Sequence, residues 1–544
     1  MKIVEFIERE SAQSFRQIIF MALISGFANS LLLAFINHGA EAVSKQEDLT
    51  QYFLLYLIAF ILFLYCQWIA FDQASMAIEN SLYNVRIRLT HKIPRVELGF
   101  MEKMGSNNLY ARLTRSDTLI SQSIAQITGA TQMFLLLVFT FFYLAYISPI
   151  SFLIFLITCT ISVFLFSARL KVVKKALQEV AEKENNYFKS ISHLINGFKE
   201  VKINKNKSAA LLKHITQVSA EASAIKIDVG KQENKSYGFG KVFIYAILPI
   251  LIFIIPKFSV EHTNNIFKIS SVMLFIMGPI TVMVNVFPLF NRVNIAIGEL
   301  MKLEEEMDQA ISEEFDNDEN SFNDFKEIKI DRISFSYPAT NETPFSAGPF
   351  SETITRGELL FIIGGNGSGK STFLKLLTGL YYPDGGKLYV DSTATTQADY
   401  SAYRSLFSVI FTDFHLFDKF YGVANLNAEK VNHWLKKMEM QHKVKYVDGG
   451  FTSTSLSTGQ RKRLALITAM LEDTPILVLD EFAADQDPQF RKYFYETLLI
   501  ELKNSGKTII AVTHDDHYFH VADRVLKMDE GRLEPYDAKI LNPH

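Results

Sequence analysis

Six long apolar segments in the first 290 residues limit what this chain can fold into more than any other feature. Each approaches the roughly 20 residues that a helix needs to cross a bilayer. A soluble core can bury one such helix, but six of them leave too few polar residues nearby for the outer shell of a soluble protein. The sequence therefore predicts a helical membrane domain over residues 1–300, with spans at 17–36, 52–71, 131–147, 150–167, 239–256 and 269–290.

The charges of the connecting segments predict the orientation of this domain. The connections 38–50 and 148–149 hold few basic residues, whereas the long connections after the second and fourth spans are rich in lysine and arginine. Because basic loops stay on the cytoplasmic side, we expect these long connections in the cytoplasm. We predict that helices continue out of the membrane and are joined at 102–113 and 193–202 by crossing segments that touch a cytoplasmic domain. The alternative is a pair of solvated charged helices.

Composition changes after the sixth span. Nine acidic residues between 301 and 320 predict a solvated linker over 301–324, and their spacing does not match an EF-hand loop. The formal net charge of −3 gives no sign of nucleic-acid binding. From 325 to 544, short β-rich runs alternate with helical patterns and turn glycines. This second region is predicted to be an α/β nucleotide-binding domain.

A glycine-rich loop lies between the apolar run 358–363 and a helical pattern that begins at residue 373. The loop consists of Gly364, Gly365, Asn366, Gly367, Ser368, Gly369, Lys370, Ser371 and Thr372. In this strand–loop–helix order, backbone N–H groups surround phosphates, Lys370 reaches the β- and γ-phosphates, and the Ser371 hydroxyl binds Mg²⁺. A turn shaped only by packing is the alternative, but the complete pattern favours ATP.

A second motif supplies carboxylates. The apolar run 475–479 is predicted to be a buried strand, and it ends in Asp480 and Glu481. Open α/β sheets bind their ligands at this end of the strands. Asp480 is predicted to hold Mg²⁺, and Glu481 to act as general base or to orient water for attack on the γ-phosphate.

A third motif begins a helix-like segment between these two. Its residues Ser457, Thr458, Gly459 and Gln460 can offer donors to phosphate oxygens from a helix start. With Leu456, they resemble the Leu-Ser-Gly-Gly-Gln signature of ATP-binding cassette (ABC) proteins, with Thr458 in place of the first glycine. The resemblance implies that Tyr337 stacks on adenine, that Asp487 is the D-loop aspartate, and that His514 contacts the γ-phosphate. For Tyr337 a surface position, and for His514 a structural role, are the alternatives.

One position departs from the family pattern. Thr412 occupies the place of the usual glutamine, and Asp413 follows it. Asp413 has an oxygen for the metal or for water, and Thr412 has a hydroxyl that can act through a water. The choice between them stays open at this point.

Six spans followed by one cassette resemble a half-transporter of the ABC exporter type. Segments 196–202, 364–370 and 411–417 are similar to the bacterial subfamily of cyclic-peptide and siderophore exporters, which includes syringomycin, pyoverdine and microcin exporters. The resemblance implies a homodimer with two composite ATP sites, placed in the bacterial inner membrane with its cassettes in the cytoplasm. It also implies export of a peptide-like cargo by alternating access.

Other functions remain alternatives. A lipid or glycolipid flippase is the nearest one, and a nucleotide-gated channel or sensor is more distant. Whether an outer-membrane or periplasmic partner takes part is left open. Polar residues in or beside the spans are candidates for lining a cavity, or for bonding a neighbouring helix. These residues are Asn29, Asn37, Gln67, Tyr143, Asn285 and Asn291.

Overall fold

The computed structural model describes residues 2–10, 15–254, 265–311, 322, 324–337, 345–423 and 426–537. It divides into two compact units. The membrane unit comprises Met1–Leu89 and Asn108–Glu304, and the cassette unit comprises Thr90–Asn107 and Glu305–His544. The cassette unit is therefore discontinuous in the chain, because a short piece from the N-terminal half belongs to it.

Long helices make up the N-terminal half. In chain order they are α1 (Lys2–Glu10), α2 (Phe15–Lys45), α3 (Thr50–Lys92), α4 (Leu98–Met104), α5 (Ser106–Ile147), α6 (Pro149–Asn196), α7 (Phe198–Ile203), α8 (Lys205–Pro249) and α9 (Ile266–Gln309). Within the described residues, four segments are apolar and long enough to cross a membrane: Arg16–Lys45, Thr50–Arg95, Asn108–Ile147 and Ile266–Gln309. Shorter apolar helices at Pro149–Ser162 and Tyr245–Ile254 fall on the fourth and fifth predicted spans.

The helices extend well beyond the predicted spans, as the long basic connections indicated. Helix α6 has 48 residues and α8 has 45, and an ion pair of 3.0 Å joins Lys183 of α6 to Glu221 of α8. Short helices α4 and α7 lie at or beside the two predicted crossing segments. In the cassette unit, Glu102 of α4 accepts hydrogen bonds from Lys375 at 2.7 Å and from Tyr381 at 2.5 Å. The first crossing segment therefore touches the cassette, as predicted.

Helix α9 continues into the segment that was predicted to be a linker. It ends at Gln309 and so includes the first nine residues of the predicted linker, because Leu303 and Met307 lie one turn apart on a buried face. Acidic residues at 304–306 and 308 interrupt this apolar pattern in the sequence, although one of them, Glu304, is itself buried. Residues 312–321, the centre of the predicted linker, lie outside the described residues.

Packing in the membrane unit depends on one close helix approach and one group of buried charges. A Cβ atom at Gly26 of α2 would lie 2.9 Å from the Cβ of Leu135 on α5, so a glycine lets these two helices come together. Arg88 of α3 donates two hydrogen bonds of 2.8 Å to Glu10 of α1, and it also bonds Glu304 of α9 at 3.2 Å. Both carboxylates are buried. Charges are thus paired where three helices meet.

Two sheets form the core of the cassette unit. The antiparallel sheet has the order β2-β1-β4-β5, and the main sheet has the order β12-β11-β3-β10-β9-β6, parallel except for β12. Strands β3, β9 and β10 are mostly apolar and almost fully buried, as parallel strands covered on both faces usually are. The strands are β1 (Glu327–Ser336), β2 (Ser346–Thr355), β3 (Leu359–Gly364), β4 (Gly385–Val390), β5 (Thr393–Ala394), β6 (Phe407–Ile410), β7 (Tyr446–Val447), β8 (Gly450–Phe451), β9 (Ile476–Asp480), β10 (Thr508–Val512), β11 (Arg524–Asp529) and β12 (Arg532–Pro535).

The helices of this unit connect the strands and cover the main sheet. They are α10 (Lys370–Leu377), α11 (Tyr400–Arg404), α12 (Ala428–Lys437), α13 (Thr458–Glu472), α14 (Pro488–Tyr493) and α15 (Leu499–Asn504). Val512, the last residue of β10, lies opposite Ile362 of β3 on one side and Asp480 of β9 on the other. The carboxyl ends of β3, β10 and β9 therefore lie side by side, and the segments that follow them share one edge of the sheet.

Candidate nucleotide-binding site

The glycine-rich loop follows β3 at this edge. Gly364 has φ 150°, and a Cβ atom there would lie 2.3 Å from the carbonyl oxygen of Met528 on β11. Gly369, immediately before α10, has φ 107°. Both positions therefore require glycine, which lets the loop turn back so that the start of α10 faces the concave side of the loop.

The loop contains donors that suit phosphate. Lys370 is buried, and its Nζ donates to the carbonyls of Gly364 at 2.8 Å and Gly365 at 2.9 Å. Burial lowers the pKa of Lys370, while Glu481 and Asp480 oppose that shift. The Ser368 hydroxyl is buried and has no hydrogen-bond partner among the described residues. This unpaired hydroxyl and the Lys370 ammonium at the loop carbonyls fit an anionic ligand.

Oxygen atoms that suit Mg²⁺ meet at Asp480. Its carboxylate accepts hydrogen bonds from the hydroxyl of Ser371 at 3.3 Å and from that of Thr412 at 3.5 Å. Burial raises the pKa of Asp480, and the charge of Glu481 adds to this shift. A buried carboxylate with two adjacent hydroxyls is a donor set that Mg²⁺ prefers. Asp413 is exposed and, within the described part of the chain, has no hydrogen bond or ion pair with these groups.

The two predicted catalytic residues contact each other. His514 Nε2 lies 3.1 Å from Glu481 Oε1, and the Glu481 N–H donates to Val512 at 3.2 Å, so β9 and β10 position the pair together. Glu481 has φ 49° and ψ 41°, a left-handed conformation that costs a non-glycine residue roughly 1–3 kcal/mol. This turn takes the Glu481 side chain out of the line of β9. The pair can orient a water and accept its proton.

Tyr337 belongs to a cluster of aromatic rings beside α10. Its ring centroid lies 5.2 Å from that of Phe335 and 6.0 Å from that of Tyr381, and its hydroxyl is 3.1 Å from the Thr372 hydroxyl. The neighbouring rings and this hydrogen bond fix the tyrosine close to the loop. Tyr337 is half-buried, and stacking on adenine stays a prediction for it.

The signature residues lie at the start of α13. Ser457 caps the helix and pairs reciprocally with Gln460, while Thr458 is exposed. In the described part of the chain, none of the hydrogen bonds of residues 457–460 goes to the glycine-rich loop. Asp487 caps α14, and its pKa is lowered by the Phe490 N–H that it accepts and by Arg463. These residues are thus joined to one another and to neighbouring loops, not to the loop that follows β3.

Sequence reasoning missed two cations in the same helix. Lys462 and Arg463 are buried, and they bond residues of the segment 481–487. The signal was present as a basic run at 461–463 within an otherwise apolar helix, some twenty residues before an acid-rich turn. Such a run is usually interpreted as a solvated face.

Comparison with known proteins agrees with both units. A family model described as "ABC transporter" matches residues 348–484, and one described as "ABC transporter transmembrane region" matches residues 15–283. The chain is 30% identical to ATP-binding protein SyrD of Pseudomonas syringae pv. syringae, over 94% of this chain and 92% of that one. It is 32% identical to mating factor M secretion protein mam1 of Schizosaccharomyces pombe, over 38% of this chain but only 16% of that one.

A solved structure has the same fold. A bacterial Atm1-family ABC exporter with ATP bound superposes with a TM-score of 0.77, over 97% of this chain and 96% of that one, at 15% sequence identity. The predicted fold class, a helical membrane domain followed by an α/β P-loop domain, is thereby confirmed.

Proposed function

The chain belongs to the ABC transporter family, and we propose that it exports a peptide or a peptide-derived natural product across the bacterial inner membrane. It is a half-transporter with one membrane domain and one cassette, and the cassette binds and hydrolyses ATP. The meeting of the glycine-rich loop, Asp480 and the Glu481–His514 pair at one sheet edge supports the ATP-driven part of the proposal.

Each residue at this edge has a proposed part in ATP turnover. Lys370 and the N–H groups at the start of α10 bind the phosphates. Glu481 orients the attacking water and accepts its proton, while His514 holds the Glu481 carboxylate in place. Ser371, Asp480 and Thr412 would hold Mg²⁺, whose charge stabilises the negative charge that develops on the phosphates.

A second copy of the chain is proposed to complete each site. The signature residues 457–460 make no hydrogen bond to the loop of their own chain within the described residues, and Asn366 and Gly367 of that loop are exposed. In a homodimer, the signature of one copy would bind the phosphates held by the other. ATP would then contact both copies only in the closed state, and this difference in affinity would shift the membrane domain between inward-facing and outward-facing states.

The cargo is inferred from motif resemblance and from a relative. The chain shares motifs with cyclic-peptide and siderophore exporters, and the name of its relative mam1 records secretion of a mating factor. Asn285 and Asn291 of α9 are exposed, and polar residues in membrane helices usually face a cavity or another helix, not lipid. Asn37 and Tyr143 bond each other at 3.3 Å, so this candidate pair satisfies itself.

ATPase stimulation tests the cargo class. The purified full chain in nanodiscs would be assayed with a cyclic lipopeptide, with a siderophore and with a lipid-linked sugar. We expect stimulation by one of the two peptide-derived compounds and none by the lipid-linked sugar. Stimulation by the lipid-linked sugar alone would make the chain a flippase.

Transport by two variants tests whether hydrolysis drives export. We expect Lys370→Ala to abolish ATP binding and uptake into inverted vesicles, and Glu481→Gln to abolish uptake while ATP binding persists. Glu472→Gln is the matched control, because Glu472 bonds Ser408 at the start of the neighbouring strand β6. If Glu481→Gln still transported at the wild-type rate, ATP binding alone would drive the cycle, as in a gated channel or sensor.

A further inference from the structure

Lys462 forms an unusual buried contact on α13. Its side chain is 2% exposed, and its Nζ donates to the backbone carbonyl of Glu481 at 2.7 Å and pairs with Asp485 at 2.7 Å. Desolvating an ammonium is unfavourable unless its partners are well placed. Here one of the two partners is the backbone of the residue that serves as general base.

The conformation of Glu481 places its carbonyl outside the hydrogen-bond pattern of β9. Strand β9 ends at Asp480, and the next residue, Glu481, has a left-handed conformation. This carbonyl accepts a hydrogen bond of 2.7 Å from the Lys462 ammonium and a longer one of 3.4 Å from the Ala484 N–H, so Lys462 is its closer partner. The position of the Glu481 carboxylate therefore depends on the position of α13.

Four further contacts join the start of α13 to the segment 481–487. A Cβ atom at Gly459 would lie 2.4 Å from the carbonyl oxygen of Asp485, so the two backbones touch. Gln486 donates to the Gly459 carbonyl at 3.0 Å. Arg463 bonds Gln486 at 2.9 Å and Asp487 at 2.6 Å. The signature and the segment that carries Glu481 are thus connected at several points and are built to move as one piece.

We propose that Lys462 is a positioning residue that couples the signature of each copy to the Glu481 of the same copy. This rests on the homodimer proposed above, in which the signature belongs to the other copy's ATP site. Phosphate bound by Ser457 and Gly459 fixes the start of α13, and Lys462 transfers that constraint to Glu481 at the opposite site. ATP at one site thereby prepares the base at the other, and hydrolysis becomes cooperative in ATP.

Lysine variants of the full chain in nanodiscs test the proposal. Lys462→Met removes the donor and keeps the length of the side chain, and Lys462→Arg keeps a donor. Lys507→Met is the matched control, because Lys507 also donates to a backbone carbonyl, that of Thr474 at 2.6 Å, and pairs with Asp473. Lys507 precedes β10 at the opposite edge of the sheet from the nucleotide site.

Steady-state ATPase rates, the affinity for a fluorescent ATP analogue and thermal unfolding would be measured for each variant. We expect Lys462→Met to lower kcat by about 10²-fold with KM and analogue affinity within about threefold of wild type, since a small displacement of a reacting group has this effect. The Hill coefficient for ATP should fall from near two towards one. Lys462→Arg should recover at least tenfold of the lost kcat, and Lys507→Met should keep the wild-type kcat.

Three outcomes overturn the proposal: a wild-type kcat in Lys462→Met, an equal loss in Lys507→Met, or no recovery in Lys462→Arg when it unfolds at the wild-type temperature. The dimer is tested separately. A monomeric wild-type protein with a Hill coefficient of one would overturn the composite site, whereas the effect of Lys462→Met on kcat does not depend on cooperativity.

Discussion

The cassette unit and the membrane unit use polar side chains in different ways. In the cassette, Lys370, Asp480 and His514 come from three segments, yet adjacent strand ends bring them to one edge. In the membrane unit, polar contacts between helices are distributed along the helices, as in the bond between Asn37 and Tyr143. The aligned ends of parallel strands bring functional side chains from distant segments together, whereas long helices distribute their polar contacts along their length. A single substitution should therefore affect catalysis in the cassette and helix packing in the membrane unit.

Arg88 joins charged side chains from three helices, much as the cassette brings side chains from several segments together. We expect its substitution to have the largest effect on stability. Arg88→Met removes the cation that hydrogen-bonds the buried carboxylates of Glu10 and Glu304, which keep longer ion pairs of 3.3 Å and 3.7 Å with the half-exposed Arg9. Removing one partner of a buried ion pair typically costs about 3 kcal/mol or more. Denaturant unfolding in detergent should show a loss of about this size.

A control on the same helix separates burial from charge. Arg86→Met removes an arginine whose side chain is half exposed and pairs with Asp117 at 2.8 Å, so its cost should stay below about 1 kcal/mol. Adding Glu10→Gln and Glu304→Gln to Arg88→Met should restore part of the stability. Equal losses for the two arginine variants would mean that the buried charges do not matter.

Tyr337 gives the next largest effect, on nucleotide affinity in the cassette. Losing an aromatic ring that stacks on a base typically costs about 2 kcal/mol, so Tyr337→Ala should raise the Kd for ATP roughly 30-fold. Tyr337→Phe keeps the ring and loses only the bond to Thr372, and it should stay within about threefold. Titration with a fluorescent ATP analogue measures both. An unchanged Kd in Tyr337→Ala would show that adenine binds elsewhere.

Substitutions at Thr412 and Asp413 test which oxygen atoms bind Mg²⁺, and the expected effect on Mg²⁺ dependence is smaller. The Thr412 hydroxyl reaches Asp480, and one hydrogen bond contributes about 1 kcal/mol. Thr412→Val should therefore raise the Mg²⁺ concentration for half-maximal ATPase activity about fivefold. Asp413→Ala should change it less than twofold, because no hydrogen bond joins Asp413 to Asp480 or Ser371 in the described part of the chain. A larger effect at Asp413 would assign the metal to that carboxylate instead.

The smallest effect is expected for the hydrogen bond between Asn37 and Tyr143. Interhelical hydrogen bonds in membranes average about 0.6 kcal/mol, because the alternative state also finds partners. Tyr143→Phe should lower stability by this amount in the same unfolding assay. Tyr146→Phe, at a residue 83% exposed on the same helix, should have no effect. A loss above 2 kcal/mol at Tyr143 would show that a polar contact in the membrane unit is as strong as one in the cassette.

Local motifs in the sequence identify some functional residues, whereas contacts that only the fold creates cannot be predicted from it. Gly364, Lys370 and Asp480 could be assigned because each motif is local and its strand setting is visible in the apolar runs. Lys462 could not, because its role depends on a contact with a carbonyl nineteen residues away that only the fold creates. The linker was predicted to start at residue 301, but α9 continues to Gln309. The reason is related, because acidic residues surround the apolar residues of α9 near Met307 in the sequence.

In the membrane unit, length and hydropathy predicted the apolar helices, because bilayer thickness sets that pattern. Within the described residues four of these helices are long enough to span, and shorter apolar helices fall on the other two predicted spans. The pairing of Arg88 with Glu10 and Glu304 joins three helices far apart in sequence. No local pattern records such a contact. Which polar residues bond each other and which line a cavity is therefore a property of packing, and the sequence leaves it open.

Helix α4 has a consequence for biosynthesis. It emerges from the ribosome about 200 residues before the remainder of its unit, because the unit resumes at Glu305. At typical rates of synthesis, roughly 10–40 s pass between the synthesis of α4 and that of the first cassette strands. More time passes before Tyr381 is made and can bond Glu102. During that interval its apolar Leu98, which later packs on the cassette core, has no partner from the cassette. A chain truncated before the cassette would keep this helix exposed to chaperones and proteases.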